Sequence, residues 1–171
     1  MKEITLSEVE KLLAIIQHAP LLRIGHFSSQ GEILPASLLR YCESNAYEYI
    51  LNCTDLLYHE KLQDRCQKSS ACQIRLFDLA RPNYMQQGKF YDYLFVTCDI
   101  PTKEIESFLK KSHKVIKNAG LILLFIPTAE HRSLALWTQL LEENYFVATN
   151  TIGLDKEWSV IISKKMHGWG G

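Results

Sequence analysis

The run 121–165, LILLFIPTAEHRSLALWTQLLEENYFVATNTIGLDKEWSVIISKK, decides the fold. It opens on LILLFIP, a run that is apolar almost without a break. A strand with one wet face alternates; a strand that reads as continuously apolar is buried on both faces, as in the middle of a helix-covered sheet. Thr128 then opens a helix that sets Leu134, Trp137, Leu140 and Leu141 on one face. Two further strand-like runs follow, YFVATNTIGL and WSVIISKK. The short polar turn DKEW separates them, which predicts an antiparallel hairpin.

Upstream the alternation continues. FYDYLFVTC, from Phe90, reads as a strand. Thr102 is placed to cap a helix with Ile105, Phe108, Leu109 and Ile116 on its apolar face and Gly120 at its end. In the first half, Ser7 and Glu10 have capping-box spacing, Val9, Leu12, Leu13 and Ile16 mark a face, and Pro20 is the stop, so an N-terminal helix is expected within 1–20. LLRIGHF, AYEYILN and CQIRLFDL read as strands. PASLLRYCESN, with Pro35 in its first turn, and DLLYHEKLQDRC, with Thr54 as cap, read as helices. PNYMQQGK reads as a loop. Strands alternating with helices predict a mostly parallel sheet covered on both faces and joined by right-handed crossovers.

Composition bounds the class. The chain has 171 residues, 47% apolar and 22% charged, which suits one globular domain spanning 1–171. Its net charge is zero, which removes the general attraction for nucleic acid or an anionic membrane. No apolar run approaches a membrane span, and the first residues lack a signal peptide's apolar core. Cysteines at 42, 53, 66, 72 and 98 are odd in number and form no CxxC pair, arguing against zinc or a disulfide framework. A reducing cytoplasm is the expected setting. The histidines are scattered without metal-ligand spacing, so no metal site is expected; His26 stands out and is expected as a partly exposed loop residue. The lysines at 103, 110, 111, 114 and 117 read as the solvated side of a helix. Residues 166–171 are expected to form a flexible tail, in which Trp169 is either disordered or a contact to a second subunit of a homodimer.

The order of elements resembles the class I S-adenosylmethionine-dependent methyltransferases. FYDYLFVTCDIP is similar to that family's fourth strand, FLKKSHKVIKNAGLILLFIP to its following helix, turn and fifth strand, and LLEENYFVATNTIGLDKEWSVIISKK to its last helix and closing hairpin. The resemblance covers Phe90 to Lys165 best. It implies a three-layer α/β/α sandwich of seven strands in the order 3-2-1-4-5-7-6, the last strand antiparallel.

The resemblance also implies where S-adenosylmethionine would sit. Laid on LRIGHFSSQG, the family's first motif keeps Gly25. Arg23 stands in the place of its acid, and Phe27 and Ser29 in the places of its second and third glycines. Asn52 stands where an acid receives the ribose hydroxyls, and Asp78 where an acid receives the adenine amine. Gly25, Asn52 and Asp78 are therefore the candidate cofactor residues. Thr97, Cys98 and Asp99 form the candidate substrate loop after strand four, with Asp99 as candidate base or orienting group. From the residues alone, GHFSSQGE is equally a connecting turn, the bend of a β-hairpin, or a ligand loop. Two functions stay open: a transferase of unknown acceptor that uses S-adenosylmethionine, and a non-catalytic binding or assembly module that keeps the fold and has lost the cofactor.

Overall fold

The computed structural model describes residues 3–85, 90–154 and 156–167. The elements run α1 (Leu6–Leu13), β1 (Arg23–Ser28), α2 (Ile33–Asn45), β2 (Glu48–Cys53), α3 (Leu56–Gln67), β3 (Cys72–Leu76), β4 (Tyr91–Val96), α4 (Ile105–Val115), β5 (Ile116–Pro127), α5 (His131–Glu143), β6 (Phe146–Gly153) and β7 (Trp158–Lys165). A 3-10 turn, Thr102–Glu104, precedes α4. Seven strands form one sheet in the order β3-β2-β1-β4-β5-β7-β6. β1 to β5 pair in parallel, and β7 runs antiparallel to both β5 and β6.

Strand alternation builds a core on each face. Ile24, Tyr49, Leu51, Phe95 and Leu123 point to one face, where they meet Leu12 of α1, Leu38 of α2 and Leu62 of α3. Phe27, Ile50, Leu94, Val96 and Leu124 point to the other, where they meet Phe108 and Leu109 of α4 and Trp137 and Leu141 of α5. Residues 77–85, after β3, contain no helix. Across β1, β2 and β3 the second face carries a polar row. Arg23 pairs with Glu48 at 2.5 Å, Glu48 receives Gln73 at 2.8 Å, and Gln73 receives Arg75 at 2.7 Å.

Several boundaries differ from the sequence expectation. The capping box uses Thr5 and Glu8, and α1 ends at Leu13 well before Pro20. Ile4 decides the earlier start: it and Val9 are both buried, as a hydrophobic staple across the cap requires. Asp55, not Thr54, caps α3, its carboxylate accepting the Tyr58 amide at 2.8 Å. α4 ends at Val115 and β5 follows at once, so Ile116 and Gly120 are strand residues. Residues 21–39 resolve as strand, loop and helix, not as a hairpin. Cys66 and Cys72 are joined by a disulfide that the spacing gave no sign of. In the expected tail, the Met166 amide donates to the Tyr145 carbonyl at 3.0 Å, while Trp169 lies outside the described residues.

Candidate functional site

In an open parallel sheet the ligand crevice lies beyond the carboxyl ends of the strands where the order reverses, here between β1 and β4. Backbone pairing continues past both strand ends. The Thr97 amide donates to the Phe27 carbonyl at 2.9 Å, and the Thr54 amide to the Ser28 carbonyl at 2.9 Å. Side chains then fill the space on each face.

On the face of α1–α3 the filling is polar. His26 is fully buried in β1, not exposed in a loop. Its Nδ1 lies 2.9 Å from the Tyr49 hydroxyl and its Nε2 2.8 Å from Thr97 Oγ1. Thr97 Oγ1 lies 2.9 Å from Ser28 Oγ, which lies 3.2 Å from the Tyr58 hydroxyl, and Tyr58 donates to the Gly31 carbonyl at 2.6 Å. Two carbonyls anchor the protons of this chain. Tyr58 gives its one hydrogen to Gly31, and Ser28 Oγ faces both Tyr58 and the Gln30 carbonyl at 3.0 Å as acceptors; with its hydrogen on either, Ser28 accepts from Thr97, and Thr97 from His26 Nε2–H. His26 Nδ1 is left to accept from Tyr49. Burial holds the imidazole neutral, its pKa pushed down to about 3, as this chain requires. Beyond Gly31, the Glu3 carboxylate accepts the amides of Glu32 and, at 2.6 Å, of Ile33. The first turn of α2, which could otherwise receive a ligand's anion, is held by the protein's own.

On the face of α4 and α5 the filling is aromatic. The Phe27 ring, 1% exposed, packs on Phe77 at 4.9 Å, Tyr84 at 5.5 Å and Phe108 at 5.9 Å between centroids. Lys111 clamps the loop that carries Tyr84: its ammonium sits 4.6 Å over that ring and donates to the carbonyls of Leu79 at 2.7 Å and Arg81 at 3.1 Å.

These contacts place the residues singled out in the sequence. Arg23 is the first residue of β1, roughly 16 Å short of the carboxyl edge at a strand's rise per residue. It therefore cannot repel a ligand there. Gly25 is inside β1, and an added Cβ would lie 2.7 Å from the Tyr91 ring, so the glycine admits a tyrosine ring and not a ligand. Phe27 also belongs to the strand, and the loop that follows is Ser29–Glu32, with Gly31 at φ 89°. Asn52 is buried at the end of β2 and donates to the Tyr91 hydroxyl at 3.3 Å; its Oδ1 has no partner among the described residues. Asp78 is exposed and closes a turn by accepting the Ala80 amide at 2.8 Å. Gly25 is thus covered by the Tyr91 ring, Asn52 is enclosed with the hydroxyl of the same tyrosine, and Asp78 closes its turn with one carboxylate oxygen while staying exposed.

The substrate-loop candidates are divided between two faces. Thr97 is drawn into the His26 chain, while Cys98, Asp99 and Ile100 line a hollow of about 330 Å³ with Glu130, Ser133 and Trp137. Burial pushes the Cys98 thiol up to about 12, which leaves it protonated and non-nucleophilic at neutral pH. A smaller cavity of about 170 Å³ lies on the other side of β1, beside Glu3, His26, Gly31 and Lys61. The His26 chain and the Glu3 cap were not anticipated from the sequence.

Solved structures share this architecture across the chain. An S-adenosylmethionine-dependent O-methyltransferase from Thermotoga maritima superposes with a TM-score of 0.75 at 14% identity, over 100% of this chain and 69% of the other. The class I methyltransferase fold is established. A precorrin-6y C5,15-methyltransferase from Geobacter metallireducens matches at 0.70 and 14% identity, over 96% of this methyltransferase-fold chain and 93% of that one. The CurJ carbon methyltransferase matches at 0.70 and 14%, over 93% of this chain, which spans about half, 52%, of that one. No family model matches the sequence, and no curated protein does.

Proposed function

We propose that this chain is a methyltransferase-fold binding module whose cofactor crevice has been closed by its own side chains. Phe27 carries the reading. Its ring fills one face of the carboxyl edge between β1 and β4. The His26 chain and the Glu3 cap on the other face support it, since each satisfies groups that a ligand would otherwise meet. The hollow beyond β4 stays open. Its charged lining is Asp99 and Glu130, so it suits a small cationic or amine-bearing molecule. Asp99 becomes a ligand contact in this reading.

Calorimetry of the folded protein with S-adenosylmethionine and S-adenosylhomocysteine tests it, the expected result being no saturable heat with either. Stoichiometric binding that Asp78→Ala weakens would instead favour the second reading, a transferase in which Asp99 faces the acceptor. That reading draws on the placement of Asp99 after β4, on the rim of the hollow.

A further inference from the structure

Cys66 lies in the last turn of α3 and Cys72 begins β3; their Cα atoms stand 5.3 Å apart and a disulfide joins them. That separation is in the range a disulfide spans without backbone movement. The intervening turn has hydrogen bonds of its own. The Ser69 amide donates to the Cys66 carbonyl at 3.1 Å, the Ala71 amide to Ser69 Oγ at 3.2 Å and the Cys72 amide to the Ser69 carbonyl at 3.4 Å. None of these involves sulfur, so the turn keeps the two thiols in reach of each other when the bond is open.

Access is asymmetric. Cys66 is buried and Cys72 half-buried, and both line a cavity of about 200 Å³ between α2 and α3, with Leu39, Leu51 and Leu62 on its walls. The remaining cysteines are different. Cys42, Cys53 and Cys98 are free and enclosed, and burial pushes each thiol up to about 12. Among the described residues β3 is an edge strand paired with β2 alone, and the disulfide ties its first residue to α3.

We propose that Cys66 and Cys72 form a reversible thiol–disulfide switch that fastens edge strand β3 to α3 when oxidised and loosens it when reduced. A small thiolate enters along the cavity and attacks the accessible Cys72 sulfur. The S–S bond breaks, Cys66 leaves as thiolate and takes a proton, and Cys72 is held as a mixed disulfide. A second thiolate attacks the small-molecule sulfur, releasing Cys72 thiolate and one small-molecule disulfide. Two electrons pass from two small thiols to the protein, and oxidation by a small disulfide such as glutathione disulfide runs the same steps in reverse.

The test equilibrates the full chain in glutathione–glutathione disulfide mixtures, quenches in acid, alkylates under denaturing conditions and counts labels by intact mass. With five cysteines in the chain and three of them free in the oxidised form, the count is expected to move between five and three in one two-electron transition that reverses. The oxidised form is expected to melt several degrees higher and to exchange the amides of Cys72–Leu76 more slowly. Cys72→Ser and Cys66→Ser are each expected to lose both the transition and the difference in melting. Five labels at every ratio would overturn the proposal. So would a transition that leaves melting and β3 exchange unchanged.

Discussion

Burial holds His26 neutral in the fold, with its pKa at about 3 against an ordinary value of 6.5. Between those values the unfolded chain carries one more proton than the native one. The contribution of His26 to stability is therefore complete above pH 6.5 and is lost as pH falls toward 3, by about 1.4 kcal/mol per pH unit in that window. Tyr49 and Tyr58, at either end of the chain of hydroxyls, are pushed up by burial and stay neutral throughout. His26→Gln keeps a donor for Thr97 and an acceptor for Tyr49 without the titration. Urea unfolding from pH 7 to pH 4 is expected to show the variant losing less stability than wild type, the difference having a slope of one proton. His26→Phe is expected to cost about 2–4 kcal/mol at pH 7, because Tyr49 and Thr97 lose their shared partner. None of this was legible in the sequence. His26 stands between Gly25, which matches a motif glycine, and Ser28, Ser29 and Gly31, which read as turn formers, whereas Gly25 lies inside a strand with Tyr91 packed over it.

The junction of α4 and β5 shows what single elements conceal. Gly120 reads as a helix terminator, whereas α4 ends at Val115. The structure uses that glycine for close approach: an added Cβ would lie 2.7 Å from Ile116 Cγ2 and 3.0 Å from the Asp92 carbonyl of neighbouring β4. The positive φ falls one residue earlier, on Ala119 at 65°. The helix ends where Ile116 turns extended, and Lys165 of β7 braces the junction, its ammonium donating to the His113 carbonyl at 2.7 Å and the Ile116 carbonyl at 2.9 Å. Opposite outcomes at adjacent positions follow. Ala119→Gly is expected to stabilise by up to about 1 kcal/mol through release of the left-handed conformation. Gly120→Ala is expected to destabilise by about 1–3 kcal/mol through overpacking. Lys165→Met is expected to cost about 1–2 kcal/mol by leaving the two carbonyls without their charged donor. Chemical denaturation of the three variants checks all of these, and a destabilised Ala119→Gly would remove the strain argument.

At the scale of the molecule, the fold was readable because its largest signals are redundant. A strand buried on both faces, a helix with one apolar face and a polar turn before an antiparallel strand all agree over 121–165, and the resemblance of that order of elements to the class I methyltransferases implies the seven-strand order found. The site was not readable in the same way, since it depends on where one strand ends. β1 runs to Ser28, so the residues on which the family's first motif was laid up to Phe27 are strand interior, and Phe27 is a core residue at the carboxyl edge. A closed crevice and a merely covered one differ in what lies beneath the ring, and Phe27→Ala separates them. Removal of the ring is expected to cost about 3–5 kcal/mol and to leave a cavity walled by Phe77, Tyr84 and Phe108. Such an apolar void stays dry and accepts a small apolar guest. Benzene or toluene is therefore expected to raise the melting temperature of the variant and not that of wild type, while S-adenosylhomocysteine changes neither. Saturable binding of S-adenosylhomocysteine by Phe27→Ala would mean that a working nucleotide pocket persists behind the ring. The aromatic filling would then be a cover over a functional site, and the binding-module reading would give way to the transferase.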